Sequence, residues 1–332
     1  MTRRLPVFFL IDVSESMVGE PLESVKEGFS TILNDLRSDP YALETIWLSV
    51  TVYAGKTKTL VPLTELMSFN PPQLPVGGGA RLGTALMHLA AEIESSTEGA
   101  TPGHRGDWHP VVFLFTDAET SDDLHSAVES WKSRAAGKSE LVVVLFGKAT
   151  EAPAFSSVTE RIYRFDRTDP SAYKNLFRWI STSLRSASVV GMSRTSTPLP
   201  EGTLTINNGT PEPESNYLVF LAKCANSGGS YLIKYEKKSD EEFRLIAAYP
   251  IRESYYELSD DLSIDYTLHL NKLVGFPCCP YPSCGNTFGF SICTCGRVFC
   301  SPGGESARCA WCEKTKAFDS GAGEVGVKRA IG

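Results

Sequence analysis

Phe8-Phe9-Leu10-Ile11-Asp12-Val13-Ser14-Glu15-Ser16-Met17 carries an apolar strand into an aspartate followed by two serines at alternate positions. This spacing aims the oxygens of Asp12, Ser14 and Ser16 at one point. In an open α/β sheet that point lies beyond the carboxyl end of the strand, where ligands collect. A second apolar run ends the same way, in Phe115-Thr116-Asp117-Ala118-Glu119. On a neighbouring strand of a doubly wound sheet, Asp117 faces the same point. Carboxylate and hydroxyl oxygens suit one hard octahedral cation, Mg²⁺ or Mn²⁺, with waters or a partner's carboxylate completing the shell. The plainer reading, in which Ser14 and Ser16 only cap the following helix, leaves Asp117 unused.

Around these runs, the first 190 residues alternate strand-like and amphipathic segments, which predicts an α/β domain with a parallel sheet covered on both faces. Strands are expected at 6–12, 46–53, 57–62, 111–117, 141–147 and 161–165, and helices at 22–36, 82–93 and 171–186. Residues 191–216 turn to Ser, Thr, Pro, Gly and Asn and read as a linker. Short strands at 217–222, 231–235 and 243–249, separated by turns such as Asn226-Ser227-Gly228-Gly229, predict a small antiparallel sheet within a β-rich unit at 217–314. The Gly-, Ala- and charge-rich stretch 315–332 reads as a flexible tail.

Eight of the nine cysteines, Cys278, Cys279, Cys284, Cys293, Cys295, Cys300, Cys309 and Cys312, crowd into the end of that β-rich unit. So short a segment buries too little apolar surface to fold alone and needs cross-links. Disulfides are the alternative, but Met1-Thr2-Arg3-Arg4 leads straight into a strand without a secretory signal, which favours Zn²⁺ in a cytoplasmic protein. Eight thiolates suffice for two tetrahedral zinc ions. A single ribbon would use Cys279, Cys284, Cys309 and Cys312 and leave the middle thiols idle. A crossed arrangement is favoured: Cys279, Cys284 and Cys300, with Cys278 or another group as fourth ligand, for one ion, and Cys293, Cys295, Cys309 and Cys312 for the other. Closed four-sulfur sets predict structural rather than catalytic zinc. Cys224, outside the cluster in an apolar run, reads as a buried thiol rather than a ligand.

Two resemblances follow from these motifs. Residues 7–17, the stretch Gly77-Gly78-Gly79-Ala80-Arg81-Leu82-Gly83-Thr84-Ala85-Leu86, and residues 111–122 resemble the three loops of a von Willebrand factor A domain with its metal-ion-dependent adhesion site. The resemblance implies a Rossmann-like sheet of order 3-2-1-4-5-6 and a divalent cation whose open position takes an acidic residue of a partner. Asp12, Ser14, Ser16 and Asp117 match the family's ligands. The family's second loop offers a threonine hydroxyl where this chain has Ala80, so a water substitutes, or Thr84 reaches in from the next turn, or the site is weak. The order of this domain, a short β unit, Cys284-Gly285-Asn286, Cys293-x-Cys295-Gly296 and Cys309-x2-Cys312 resembles the bacterial tellurium-resistance-associated TerY-like proteins with their carboxyl-terminal metal-binding domain. That family implies association with a serine/threonine kinase and a protein phosphatase in stress or phosphorylation signalling, hence an adaptor role.

The remaining features bear on alternatives. A net charge of −7 argues against an electrostatic grip on nucleic acid or anionic lipid. No apolar run approaches the roughly 18 residues needed to span a bilayer. Ser14 and Ser16 have no histidine at motif spacing to activate them, and Gly77-Gly78-Gly79 lacks the lysine of a phosphate loop. The expectation is therefore a non-enzymatic adaptor. The alternatives are a metal-dependent hydrolase orienting a water at Asp12 and Asp117, and a zinc finger that binds nucleic acid or acts in a ubiquitin-ligase-like way. His104, Asp107 and His109 read as a solvated loop rather than a second metal site.

Overall fold

The computed structural model describes residues 3–103, 105–146, 153–165, 172–190, 203–205, 217–260, 263–286, 289–300, 306–317 and 324–330. The chain divides into two units: Met1–Val13, Met17–Leu74 and Ala80–Pro213 form the first, and Ser14–Ser16, Pro75–Gly79 and Glu214–Gly332 the second.

The first unit is built on strands β1 (Leu5–Asp12), β2 (Ile46–Tyr53), β3 (Thr57–Glu65), β4 (Val111–Thr116), β5 (Glu140–Leu145), β6 (Ile162–Phe165) and β7 (Thr203–Thr205), in the order β3-β2-β1-β4-β5-β6-β7. Strands β2, β1, β4, β5 and β6 run parallel, while β3 and β7 pair antiparallel at the two edges. Every residue of β1 is buried, as a central parallel strand with helices on both faces requires. Helices α1 (Glu20–Arg37), α2 (Pro40–Thr45), α3 (Leu82–Ser96), α4 (Leu124–Arg134) and α5 (Ala172–Val190) fill the crossovers.

Strand alternation sorts the core. Phe8, Leu10, Val112 and Leu114 face Leu86, Leu89, Val128 and Trp131 of α3 and α4. The intervening residues face the other way, where Phe9 stacks 5.5 Å from Phe113 and 4.7 Å from Phe29 of α1, and Phe115 lies 5.8 Å from Phe177 of α5. Helices α1 and α5 meet so closely that a Cβ on Gly28 would sit 2.2 Å from the Phe177 ring. Gly28→Ala therefore overpacks the contact. It is expected to lower unfolding stability by about 1–3 kcal/mol, read as a fall in the urea midpoint at constant slope.

Two expectations are corrected here. The presumed linker contains β7, whose Thr203–Thr205 continues the sheet through Phe165↔Thr203 and Tyr163↔Thr205; residues 191–202 and 206–216 lie outside the described residues. The presumed tail contains β16 (Thr315–Ala317) and β17 (Glu324–Ala330), the latter in register with β11 (Ser263–His269) along its whole length. Its Val-Gly-Val alternation is a strand pattern once a partner exists, and that partner lies far away in the chain.

The second unit carries β8 (Tyr217–Lys223), β9 (Ser230–Ser239), β10 (Glu242–Pro250), α6 (Ser254–Leu258), β11, β12 (Leu273–Val274), β13 (Phe290–Ile292), β14 (Val298–Cys300), β15 (Ser306–Arg308), β16 and β17. Six of these strands form a sheet of order β12-β10-β9-β8-β14-β13, and two pairs, β11–β17 and β15–β16, stand beside it. Leu218, Phe220, Tyr231, Ile233, Tyr235 and Val298 make its core together with Cys224, Cys284 and Cys300.

Candidate metal centres

The parallel pairing of β8 with β14, Val298↔Ala222 and Phe299↔Lys223, brings the next residues, Cys224 and Cys300, side by side. A turn closed by Cys284 N–H donating to the Tyr281 carbonyl (2.9 Å) and Cys279 N–H to the Asn286 carbonyl (3.3 Å) presents Cys279 and Cys284 to them. These four sulfurs, from Cys224, Cys279, Cys284 and Cys300, lie within 4.8 Å of one another, and so do those of Cys293, Cys295, Cys309 and Cys312. In the second set, Gly296 adopts a positive φ of 78° that lets its N–H reach the Cys293 carbonyl at 2.8 Å, a tight turn that converges both thiols.

Sγ separations are 3.5 Å for Cys284–Cys300, 3.6 Å for Cys293–Cys312 and 3.9 Å for Cys295–Cys309. A tetrahedral ion with metal–sulfur bonds of about 2.3 Å demands sulfurs about 3.8 Å apart, whereas a disulfide needs about 2.05 Å. The spacing fits a metal, and none of the nine cysteines is in a disulfide. The crossed arrangement expected from sequence is the one observed, with one exchange. Cys278 is exposed and belongs to neither tetrad, while Cys224, expected to be a mere buried thiol, completes the first. Adjacent residues in extended chain point to opposite sides, so Cys279 facing the tetrad turns Cys278 outward.

Donors surround the sulfurs. Ala225 N–H and the Asn286 side-chain amide lie 3.1 and 3.3 Å from Cys300 Sγ, Ser227 N–H lies 3.3 Å from Cys224 Sγ, and Trp311 N–H lies 3.4 Å from Cys309 Sγ. Burial pushes the Cys224 thiol up, but the bonds from Ser227, Cys284 and the Asn226 N–H outweigh it and draw the thiol down to about 6. In the second tetrad burial also opposes ionisation of Cys293, yet the Cys295 N–H and the neighbouring thiols bring it down to about 7. Burial raises Cys279, Cys300 and Cys309, and pushes Cys295 up to about 12. Each tetrad thus sets one thiol drawn toward ionisation beside two that burial holds protonated, Cys279 and Cys300 in the first and Cys295 and Cys309 in the second.

The oxygen donors expected to hold a cation at the end of β1, Asp12, Ser14, Ser16 and Asp117, are all buried. Asp12 Oδ2 lies 2.9 Å from the Tyr53 hydroxyl and 3.1 Å from that of Thr116, two holders not foreseen from sequence. Tyr53 ends the strand beside β1, in register with Asp12; burial first, and then the Asp12 charge, keeps its phenol protonated well above the usual range. Asp117 Oδ1 accepts the Glu119 N–H at 3.0 Å across Ala118, which sits at a left-handed φ of 64°. Ser14 Oγ and Ser16 Oγ are 2.9 Å apart, the length of an octahedron's edge when metal–oxygen bonds are about 2.05 Å. The donor set fits a hard cation on chemistry and on this spacing.

The second loop resolves one alternative. Thr84 donates its hydroxyl to Asp122 Oδ2 at 2.7 Å, and the N–H groups of Gly83 and Thr84 also end on that carboxylate. Asp122 thus caps the start of α3, and the Thr84 hydroxyl is committed to it rather than taking the missing threonine's place. The Ala80 carbonyl accepts from Ser121 N–H (2.7 Å) and Ser121 Oγ (2.8 Å). Asp107, in the histidine-flanked loop, forms a two-pronged bond with Arg4 at 2.7 Å, a structural tie.

Comparison with known families matches residues 7–177 to the von Willebrand factor type A domain and residues 214–332 to the TerY-C metal binding domain. A comparison with curated proteins returns no match. Among solved structures, the chain is similar to an aerotolerance-related membrane protein from Bacteroides fragilis (22% identity, 43% of this chain and 68% of that one, TM-score 0.30). It is also similar to BatB from Bacteroides thetaiotaomicron (22% identity, 49% and 77%, TM-score 0.31) and to a von Willebrand factor type A protein from Catenulispora acidiphila (13% identity, 77% and 68%, TM-score 0.41). Among the described residues no helix is long and apolar enough to cross a membrane.

Proposed function

Because the chain belongs to the von Willebrand factor type A family and carries a TerY-C metal binding domain, we propose that it is a non-enzymatic adaptor. It joins a serine/threonine kinase and a protein phosphatase in a bacterial stress or phosphorylation-signalling system. The observation that carries this reading is the closure of both sulfur tetrads: four protein ligands each leave no position for water or substrate, the mark of a structural ion. Soft thiolates in a tetrahedral spacing favour Zn²⁺ for both, and eight unbridged ligand thiols suit a reducing cytoplasm.

In this reading partner selection belongs to Asp12, Ser14, Ser16 and Asp117. They would hold one Mg²⁺ or Mn²⁺, which supplies a Lewis-acidic position for a partner's carboxylate. Tyr53 and Thr116 fix the Asp12 carboxylate through hydrogen bonds, so that the oxygen presented to the ion is already oriented. Asp12→Ala is expected to reduce capture of a serine/threonine kinase or protein phosphatase partner about tenfold or more, equivalent to about 1.4 kcal/mol. Circular dichroism would stay that of the folded chain. Undiminished capture by folded D12A would overturn the cation contact.

A further inference from the structure

Trp311 lies in the last knuckle of the second tetrad, Cys309-Ala310-Trp311-Cys312, half-buried against the cluster of Cys293, Phe299, Ala307 and Cys309. Its ring is held in one orientation, because the indole Nε1–H donates to the Val298 carbonyl at 2.7 Å and the backbone N–H lies 3.4 Å from Cys309 Sγ. Two cations rest on this ring. Lys223 Nζ lies 5.3 Å and Arg297 Cζ 4.9 Å from its centroid. The pairing of β8 with β14 brings them there, since Lys223 ends β8 opposite Phe299 and Arg297 immediately precedes β14. All these residues belong to the second unit.

Five other cations of that unit behave differently. Lys237, Lys238, Arg244, Lys272 and Arg308 each meet a carboxylate at 2.5–3.1 Å. Among the described residues, the side chains of Lys223 and Arg297 make neither an ion pair nor a hydrogen bond. A ring face attracts a cation without cancelling its charge, so the guanidinium and ammonium donors stay available while both side chains are held in place.

We propose that Lys223, Arg297 and Trp311 form a docking face for an acidic peptide segment of a protein partner. Arg297 takes one carboxylate with its two-pronged fork and Lys223 a second as a point charge, and the accessible part of the indole covers the apolar stems between them. Trp and Arg are among the side chains that dominate protein interfaces, and cations already held on a fixed ring lose less side-chain freedom on binding. Charge complementarity names the occupant. Two cations on a chain of net charge −7 are too few to follow a nucleic-acid backbone, whereas two carboxylates of a peptide match them. The inference rests on the adaptor reading only for the existence of a protein partner, and it needs no cation at the oxygen donors.

The test is the fluorescence anisotropy of a fluorescein-labelled oligoglutamate peptide titrated with the zinc-loaded full chain. The wild type is expected to bind it in preference to an oligoglutamine peptide of the same length and to a single-stranded oligothymidine, and to lose affinity as salt screens the contact. K223Q/R297Q is expected to weaken binding about tenfold or more, whereas K238Q, which removes an ion-paired lysine, leaves it unchanged. No binding by the wild type, equal binding of oligoglutamine, or tighter binding of oligothymidine would overturn this docking face while leaving the adaptor reading to the capture experiment on Asp12→Ala. Undiminished binding by folded K223Q/R297Q would overturn it too. A measurement on the wild type covers a variant that misfolds or loses zinc: acylation of the Lys223 amine, followed by peptide mass spectrometry, should fall when oligoglutamate is added. Labelling indifferent to the peptide counts against the proposal.

Discussion

Cys224→Ser is expected to lower the bound metal from two ions per chain to one, while Cys278→Ser retains both. The two residues make opposite claims on the same coordination position. Cys224 lies within the 4.8 Å set with Cys279, Cys284 and Cys300, and Cys278 is exposed beside it. Serine keeps the size of the side chain but replaces a soft thiolate with a hydroxyl that a borderline-soft ion holds poorly. The structural cost follows from where the first tetrad sits: Cys224, Cys284 and Cys300 are part of the core beneath the six-stranded sheet. Binding of a structural zinc in small modules is worth about 10–16 kcal/mol. C224S should therefore lose several kcal/mol and lower the melting temperature of this unit by about 10 °C or more. Metal analysis by mass spectrometry and a far-ultraviolet melt check both parts. Two ions in C224S, or one in C278S, would return the ligand to Cys278.

The two kinds of cysteine differ in how their sequence shows them. Cys293-Thr294-Cys295-Gly296 and Cys309-Ala310-Trp311-Cys312 announce themselves because the paired thiols and the turn that converges them are adjacent in the chain. Cys224 stands alone at the end of a strand, and only the register of β8 against β14 brings it to Cys300. A local signal did exist: Cys224 N–H bonds to the Gly229 carbonyl, and Gly228 takes a positive φ of 71°, a knuckle-like turn with one sulfur at its mouth. The same distinction runs through the fold. Buried parallel strands such as β1 and β4 were legible from their continuous apolar runs. The helix α4 was not, because its stripe of Ala127, Val128 and Trp131 depends on one large ring. Strands β7 and β17 are strands only by virtue of remote partners. At the oxygen site, Asp12, Ser14, Ser16 and Asp117 were visible as a motif. The hydroxyls of Tyr53 and Thr116 that hold Asp12 were not, since only the pairing of β1 with β2 and β4 brings them to it.

Acidification is expected to strip metal from the two tetrads in sequence, the Cys293, Cys295, Cys309 and Cys312 centre first. A metal binds thiolates, so every thiol still protonated in the folded, metal-free chain must release its proton on binding. Cys279 and Cys300 at the first centre, and Cys295 and Cys309 at the second, are raised by burial and are protonated at neutral pH. Each centre thus exchanges at least two protons for its ion, and affinity falls about 100-fold per unit of pH. Cys293 is drawn down to about 7 and Cys224 to about 6, so both centres compete with a further proton below neutrality. Metal holds these thiols ionised in the folded state, far below their unfolded values. Its contribution to stability is therefore present at high pH and lost as pH falls below neutrality. Burial sets the order, because the first tetrad lies in the sheet core and the second packs in a smaller cluster with Phe299 and Ala307. Chelator-monitored release between pH 8 and pH 5 should show two steps in the wild type. C224S should retain only the step at higher pH. A single step in the wild type, or loss of the higher step in C224S, would contradict this order.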